Sequence, residues 1–192
     1  MNLDITKYKY TKNWFLISEI KQNLNKHINF NNKMSILEIG SFEGLSACGF
    51  SDNCLNHPES ILYCVDPFFD SNTNLTTSKF VNDEVKKKFL YNISTSINSK
   101  KITFKNEASE IFFKSNDIFF DLIYIDGNHE ITYILKDLEN SFNILNINGI
   151  IWMDDYNSSL QIKNTIDNYL NKIKNNIKII HKNYQIAFKK LN

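Results

Sequence analysis

Phe119-Phe120-Asp121-Leu122-Ile123-Tyr124-Ile125-Asp126-Gly127-Asn128-His129 and Ile150-Ile151-Trp152-Met153-Asp154-Asp155-Tyr156 decide how this chain folds. Each is a run of large and β-branched apolar residues, the composition of a strand buried on both faces, and each stops at carboxylates. Between them lies one helix-length segment, Glu130 to Asn143, with Ile131, Leu135, Leu138 and Phe142 on one stripe. Strand, crossover helix and strand make parallel neighbours whose C-terminal ends lie side by side. That gathers Asp126, Asp154 and Asp155 at the edge where open α/β sheets bind ligands. Like charges repel unless a cation or proton intervenes, so a divalent metal is the expected companion of the three acids. The bland alternative is a set of helix-capping or solvent-facing loop acids.

Working outward, Met34–Ile39 reads as a buried strand ending at Gly40, and Leu45–Cys54 as a helix. Ile61–Val65 is the next strand, closed by Asp66-Pro67. Phe68 to Thr77 is loop, and Val81, Val85, Phe89, Ile93 and Ile97 step by four along a long helix. Lys101–Phe104 is a short strand and Ala108–Lys114 a short helix. Ile162, Ile166, Leu170 and Ile173 mark a last helix. Ile177–Ile180 and Tyr184–Phe188 then flank His181-Lys182-Asn183 as an antiparallel hairpin. Near the N-terminus, Trp14, Ile17, Ile20, Leu24 and Ile28 recur at helical spacing between Asn13 and Ile28. The pattern predicts one α/β domain over 1–192: a three-layer sandwich with a seven-stranded, mostly parallel sheet and a C-terminal antiparallel hairpin. Residues 34–190 form its core, and residues 1–30 a helical segment that serves as a lid or packs on the sheet.

Hydrophobic residues at 42% and charged residues at 22% are ordinary for a globular domain. A net charge of +1 argues against a surface built for nucleic acid or an anionic membrane. The basic triplet Lys86-Lys87-Lys88 reads as a solvated helix face. No run approaches the roughly 18 apolar residues of a membrane span, and Met1-Asn2-Leu3-Asp4 lacks a signal peptide's basic start. Cys48, Cys54 and Cys64 lack metal-ligand spacing, so buried thiols in a reducing cytoplasm are expected. Among 29 Asn there is no Arg, so a guanidinium fork for phosphate is absent from the chain. A homo-oligomer is compatible with this sequence, which does not fix the oligomeric state.

Glu38-Ile39-Gly40-Ser41-Phe42-Glu43-Gly44 sits at a strand-to-helix turn. Gly40 and Gly44 let the backbone turn sharply, or serve close helix–strand packing. A dinucleotide fingerprint needs a third glycine, and Glu38 and Glu43 disfavour pyrophosphate, so a cationic ligand suits the turn better. Asp66, ending the next strand, can hold both hydroxyls of a ribose or cap the turn before Pro67.

These features together resemble the class I S-adenosylmethionine-dependent methyltransferases. The resemblance covers residues 34–190 and implies a Rossmann-like methyltransferase fold. It implies that Glu38, Gly40, Ser41 and Gly44 lie along the methionine part of the cofactor and that Asp66 holds the ribose. Glu107, Ala108 and Ser109 fall where the family contacts adenine, with helix capping as the alternative for Asn106 and Ser109. Within that superfamily Ile125-Asp126-Gly127-Asn128-His129 and Gly149 to Tyr156 resemble the metal-dependent macrocin-type sugar O-methyltransferases, with catechol-type enzymes more distant. The resemblance implies that Asp126, Asp154 and Asp155 bind Mg²⁺, with Asp126 also beside the cofactor.

Magnesium prefers hard oxygens and leaves room for substrate oxygens, whose pKa it lowers. His129 suits a general base near neutrality, and shared catalysis with Asp126 is expected; a loop hydrogen bond or plain substrate contact is the alternative. Asp137 and Glu139 read as an ordinary polar helix face, and Tyr156 as orienting substrate or packing over cofactor. His27, His57 and His181 read as structural or surface residues. The expected function is O-methylation of a hydroxylated small molecule, a sugar or glycan precursor, without nucleic acid or membrane partners. Rivals are a catalytically silent cofactor-binding module, a catechol-type O-methyltransferase, a nicotinamide oxidoreductase and a nucleic-acid methyltransferase.

Overall fold

The computed structural model describes residues 5–13, 15, 17–68 and 83–192. Seven strands form one sheet: β1 (Ser35–Ile39), β2 (Ile61–Val65), β3 (Ile102–Lys105), β4 (Phe120–Ile125), β5 (Leu145–Met153), β6 (Ile177–Lys182) and β7 (Ile186–Lys190). Their order is β3-β2-β1-β4-β5-β7-β6. Pairing is parallel from β3 through to β5, and β7 runs antiparallel to both its neighbours, β5 and β6. The chain winds outward from β1 to β3 and then crosses to β4 on the other side of β1. This reversal makes the β1/β4 boundary the switch point at which such sheets open a ligand crevice.

Register aligns the strand tips there. Ile39 pairs with Val65 on one side and Ile125 on the other, and Ile125 pairs with Met153. The residues that follow, Gly40, Asp66, Asp126 and Asp154, therefore start at one level of the sheet edge.

Alternation along the strands builds two cores. Ile36, Leu62, Leu122, Tyr124, Ile150 and Trp152 face α1 (Ile17–Leu24), α2 (Leu45–Cys54) and α3 (Asp83–Thr95). Leu37, Ile39, Ile123, Ile125, Ile151 and Met153 face α4 (Ser109–Ser115), α5 (Ile131–Asn143) and α6 (Leu160–Lys172). The sandwich is three-layered, as expected.

Three boundaries differ. Helix α1 is shorter than Asn13–Ile28, because Asn25-Lys26-His27 unwinds into turns bonded to the Lys21, Asn23 and Leu24 carbonyls. Strand β5 begins five residues before Ile150, its polar half hidden from the apolar pattern by Asn146 and Asn148; Asn148 takes a φ of 67° beside Gly149. Strand β6 continues through His181, whose ring stacks on Trp152 with centroids 4.8 Å apart, leaving Asn183 to Gln185 as the turn. Trp14, Val81 and residues 69–77 of the expected loop lie outside the described residues. Among the described residues no helix is long and apolar enough to cross a membrane, and all three cysteines are free and buried.

Candidate active site

Strand β1 ends at Gly40 with φ +83°, and a Cβ there would overlap the carbonyl of Asp126 and lie 2.7 Å from Gly127 Cα. Only glycine lets the first turn rest directly on the β4 loop. The amides of Ser41 and Phe42 each donate to Asp66 Oδ2 at 2.8 Å, and that of Phe68 donates to Oδ1 at 2.7 Å. Burial raises the Asp66 pKa, and these three donors oppose the rise. Asp66 thus fastens the turn to the tip of β2.

Glu38 is fully buried beneath the same turn. Its Oε2 accepts the Ser41 hydroxyl at 2.6 Å, while Oε1 has no hydrogen-bond partner among the described residues. Burial pushes Glu38 up to about 7. Glu43 turns out differently: Lys88 Nζ lies 2.8 Å from Oε1, and Thr11 donates both its amide and hydroxyl. Burial would raise Glu43, but these bonds hold it below the usual range. Of the two acids flanking the turn, only Glu38 lacks a cationic partner. The basic triplet is likewise not merely solvated, since Lys88 serves Glu43 and Lys86 bonds Asn106.

At the tips of β4 and β5, Asp126, His129 and Asp155 present donor atoms that all lie within 4.8 Å of one another. His129 Nε2 stands 3.0 Å from Asp155 Oδ2 and 3.9 Å from Asp126 Oδ1. Asp155 reaches this place through a left-handed backbone, φ 51°. Burial, together with the charges of Asp154 and Asp155, pushes Asp126 up to about 6, with His129 opposing. The His129 pKa rises through its pairing with Asp126 and the charges of Asp155 and Asp154, against burial. A cavity of about 20 Å³ opens here, lined by Asp126, His129, Asp154, Asp155 and, among others, Ile134 and Ile162. Two carboxylates beside an imidazole, with ligand atoms within 4.8 Å of one another, are donors that fit a divalent cation.

The glycine turn on β1, Asp66 after β2 and the acids after β4 and β5 thus share one edge. Residues 37–156, more than half of the chain, match a family model described as a methyltransferase domain. The chain belongs to that family. No curated protein sequence matches it significantly. Its fold is shared by a protein from Clostridium thermocellum named as an rRNA methylase, with TM-score 0.69, 9% identity and coverage of 96% of this chain and 99% of that one. It is shared by a Streptococcus mutans protein named as a methyltransferase and solved with SAH: TM-score 0.67, 11% identity, 91% and 97% covered. A Klebsiella pneumoniae protein named as an O-methyltransferase gives TM-score 0.67 and 13% identity, with 94% and 83% covered.

Within this methyltransferase domain several expected residues take other partners. Asp154 stays outside the Asp126–His129–Asp155 cluster: Tyr124 donates to its Oδ2 at 2.8 Å, and Gln185 Nε2 and its neighbour's amide donate to Oδ1 at 2.8 Å each. Tyr156 is buried with its hydroxyl on Asp167, 2.9 Å from Oδ1. Ala108, not Asn106 or Ser109, occupies the N-cap of α4, and no side chain caps it. Glu107 precedes it in the loop after β3. Ser109 instead donates to Asp137 Oδ1 at 2.5 Å.

Asp137 is the clearest departure from expectation. It is buried on α5 beneath Gly127, and burial pushes it up to about 6. An acid raised on folding stays protonated while the unfolded chain ionises, so stability falls as pH rises from about 4 to 6. A shift of about two units corresponds to roughly 3 kcal/mol lost above pH 6. Asp137→Asn keeps an acceptor for Ser109, so it is expected to raise the melting temperature at pH 7.5 and to change it little at pH 4. Equal destabilisation at both pH values would refute this.

Proposed function

We infer that this methyltransferase domain moves the methyl group of S-adenosylmethionine to a hydroxyl of a small molecule, a sugar or glycan precursor, with help from a divalent cation such as Mg²⁺. The convergence of Asp126, His129 and Asp155 beside the Gly40 turn is the observation that carries this reading. On this reading Glu38, Gly40, Ser41 and Gly44 line the methionine end. Burial disfavours charge on Glu38, and a cofactor that bears an ammonium and a sulfonium would favour its ionised form and offer its unpartnered oxygen a cationic neighbour. Asp66 takes the ribose, exchanging turn amides for hydroxyls, and Glu107, Ala108 and Ser109 border the adenine.

Asp126 and Asp155 hold the cation, with Asp154 contributing charge from behind. Bound there, the cation would lower the pKa of an acceptor hydroxyl and fix its position. His129 has the most exposed side chain of the three, 59% against 35% for Asp126 and 23% for Asp155, which suits a group that must meet the acceptor. It takes the hydroxyl proton as the oxygen attacks the methyl carbon in line with the leaving sulfur. A net charge of +1 without arginine disfavours RNA as acceptor, although some proteins of this fold are named as rRNA methylases.

The test is methyl transfer from S-adenosylmethionine to a panel of sugars and nucleotide sugars, followed by mass spectrometry with and without Mg²⁺. His129→Gln is expected to lower kcat by about 10²- to 10⁴-fold, with S-adenosylhomocysteine binding kept in calorimetry. Metal-independent transfer, or transfer to RNA alone, would overturn the reading.

A further inference from the structure

The geometry points to the β6–β7 turn as part of the catalytic edge, with Tyr184 and Gln185 as positioning residues for the two acids after β5; this rests on the cation reading above. Register puts them there. Met153 pairs with Ile186 in the antiparallel β5–β7 ladder, so one step beyond it Gln185 faces Asp154, and one further Tyr184 faces Asp155. Both contacts form. Gln185 is held at its own oxygen by the Trp152 indole at 2.7 Å, which orients its amide nitrogen onto Asp154 Oδ1 at 2.8 Å. With Tyr124 on the other oxygen, Asp154 is locked in place.

Tyr184 donates its hydroxyl to Asp155 Oδ1, leaving Oδ2 to the cluster with His129. The Asn157 amide donates to the Tyr184 carbonyl at 3.0 Å, fastening the turn to the loop after β5. Asp155 sits in a left-handed conformation that costs energy for a non-glycine residue. A bond that fixes its side chain from outside the cluster selects the oxygen that remains free. The arrangement resembles the outer hydrogen bonds that orient carboxylate ligands in metal sites.

Mn²⁺ binding, followed by the electron paramagnetic resonance signal of the free ion, tests this on the full chain. Tyr184→Phe is expected to weaken Mn²⁺ about 10- to 100-fold, and Gln185→Ala, which frees an acid outside the ligand pair, by less, with S-adenosylhomocysteine affinity unchanged in both. A merely structural turn would move both affinities or neither. Tyr184 is exposed and its phenylalanine variant keeps the ring, so that variant decides alone should Gln185→Ala not fold. Wild-type Mn²⁺ affinity in Tyr184→Phe overturns the positioning role and leaves the cation reading standing. Failure of the wild-type chain to bind Mn²⁺ overturns both.

Discussion

Asp126→Asn is expected to lower methyl transfer by on the order of 10³-fold, since a cation's stabilisation of a developing alkoxide is worth several kcal/mol and each 1.36 kcal/mol is tenfold. The amide keeps the size of the acid and the fold of the β4 tip. What it removes is one of the two anionic ligands. Asp126 carries a raised pKa because it is buried beside Asp154 and Asp155, so the cluster has an electrostatic reason to take up positive charge. Its carbonyl, which touches the Gly40 turn, is untouched by the substitution. Cofactor affinity should therefore survive. Activity near the wild-type level in Asp126→Asn would remove the cation from the mechanism.

Gly40→Ala is the second large effect, and it acts through backbone. A left-handed φ of +83° costs an L-residue about 1–2 kcal/mol. The added Cβ also meets the Asp126 carbonyl and the Gly127 Cα, which are main-chain atoms and cannot rotate away. Overpacking of that kind adds about 1–3 kcal/mol, giving a total of about 3 kcal/mol. In a domain of this size that lowers the melting temperature by about 6–12 °C. S-adenosylhomocysteine binding should be lost as well, because the turn and the β4 loop are pushed apart where the cofactor would lie. Gly44→Ala carries the same left-handed cost at φ +82° but should cost less in all, since its Cβ would meet a Phe89 ring atom at 2.9 Å where that of Gly40 would overlap main chain. A Gly40→Ala protein that melts normally and binds S-adenosylhomocysteine would contradict the site's placement.

The parts of this molecule legible in sequence are those set by local pattern. Continuous apolar runs ending in Gly40, Asp66, Asp126 and Asp154 marked strands buried on both faces, and register then brought those tips to one level. What pattern alone does not encode is which way each carboxylate turns. Asp154 and Asp155 are adjacent, yet one is satisfied by Tyr124 and Gln185 while the other, through its left-handed backbone, joins His129.

The same limit applies to polar residues whose partners are distant in sequence. Asp137 looked like an exposed helix acid because its partner Ser109 lies 28 residues away. Glu43 looked like a ligand-facing acid because Lys88 and Thr11 approach it from α3 and the N-terminal segment. Gln185 and Tyr184 were legible only once β7 is inserted beside β5, where antiparallel counting from Met153 leads to both.

A crystal of the protein with S-adenosylhomocysteine and Mn²⁺ bound, measured at the manganese absorption edge, tests the central claim most directly. The account predicts one anomalous peak between the carboxylates of Asp126 and Asp155, with the ribose against Asp66 and the sulfur facing the ion across the Gly40 turn. Adenosine bound away from Asp66, or manganese absent from the Asp126–Asp155 space while the cofactor is in place, would contradict it.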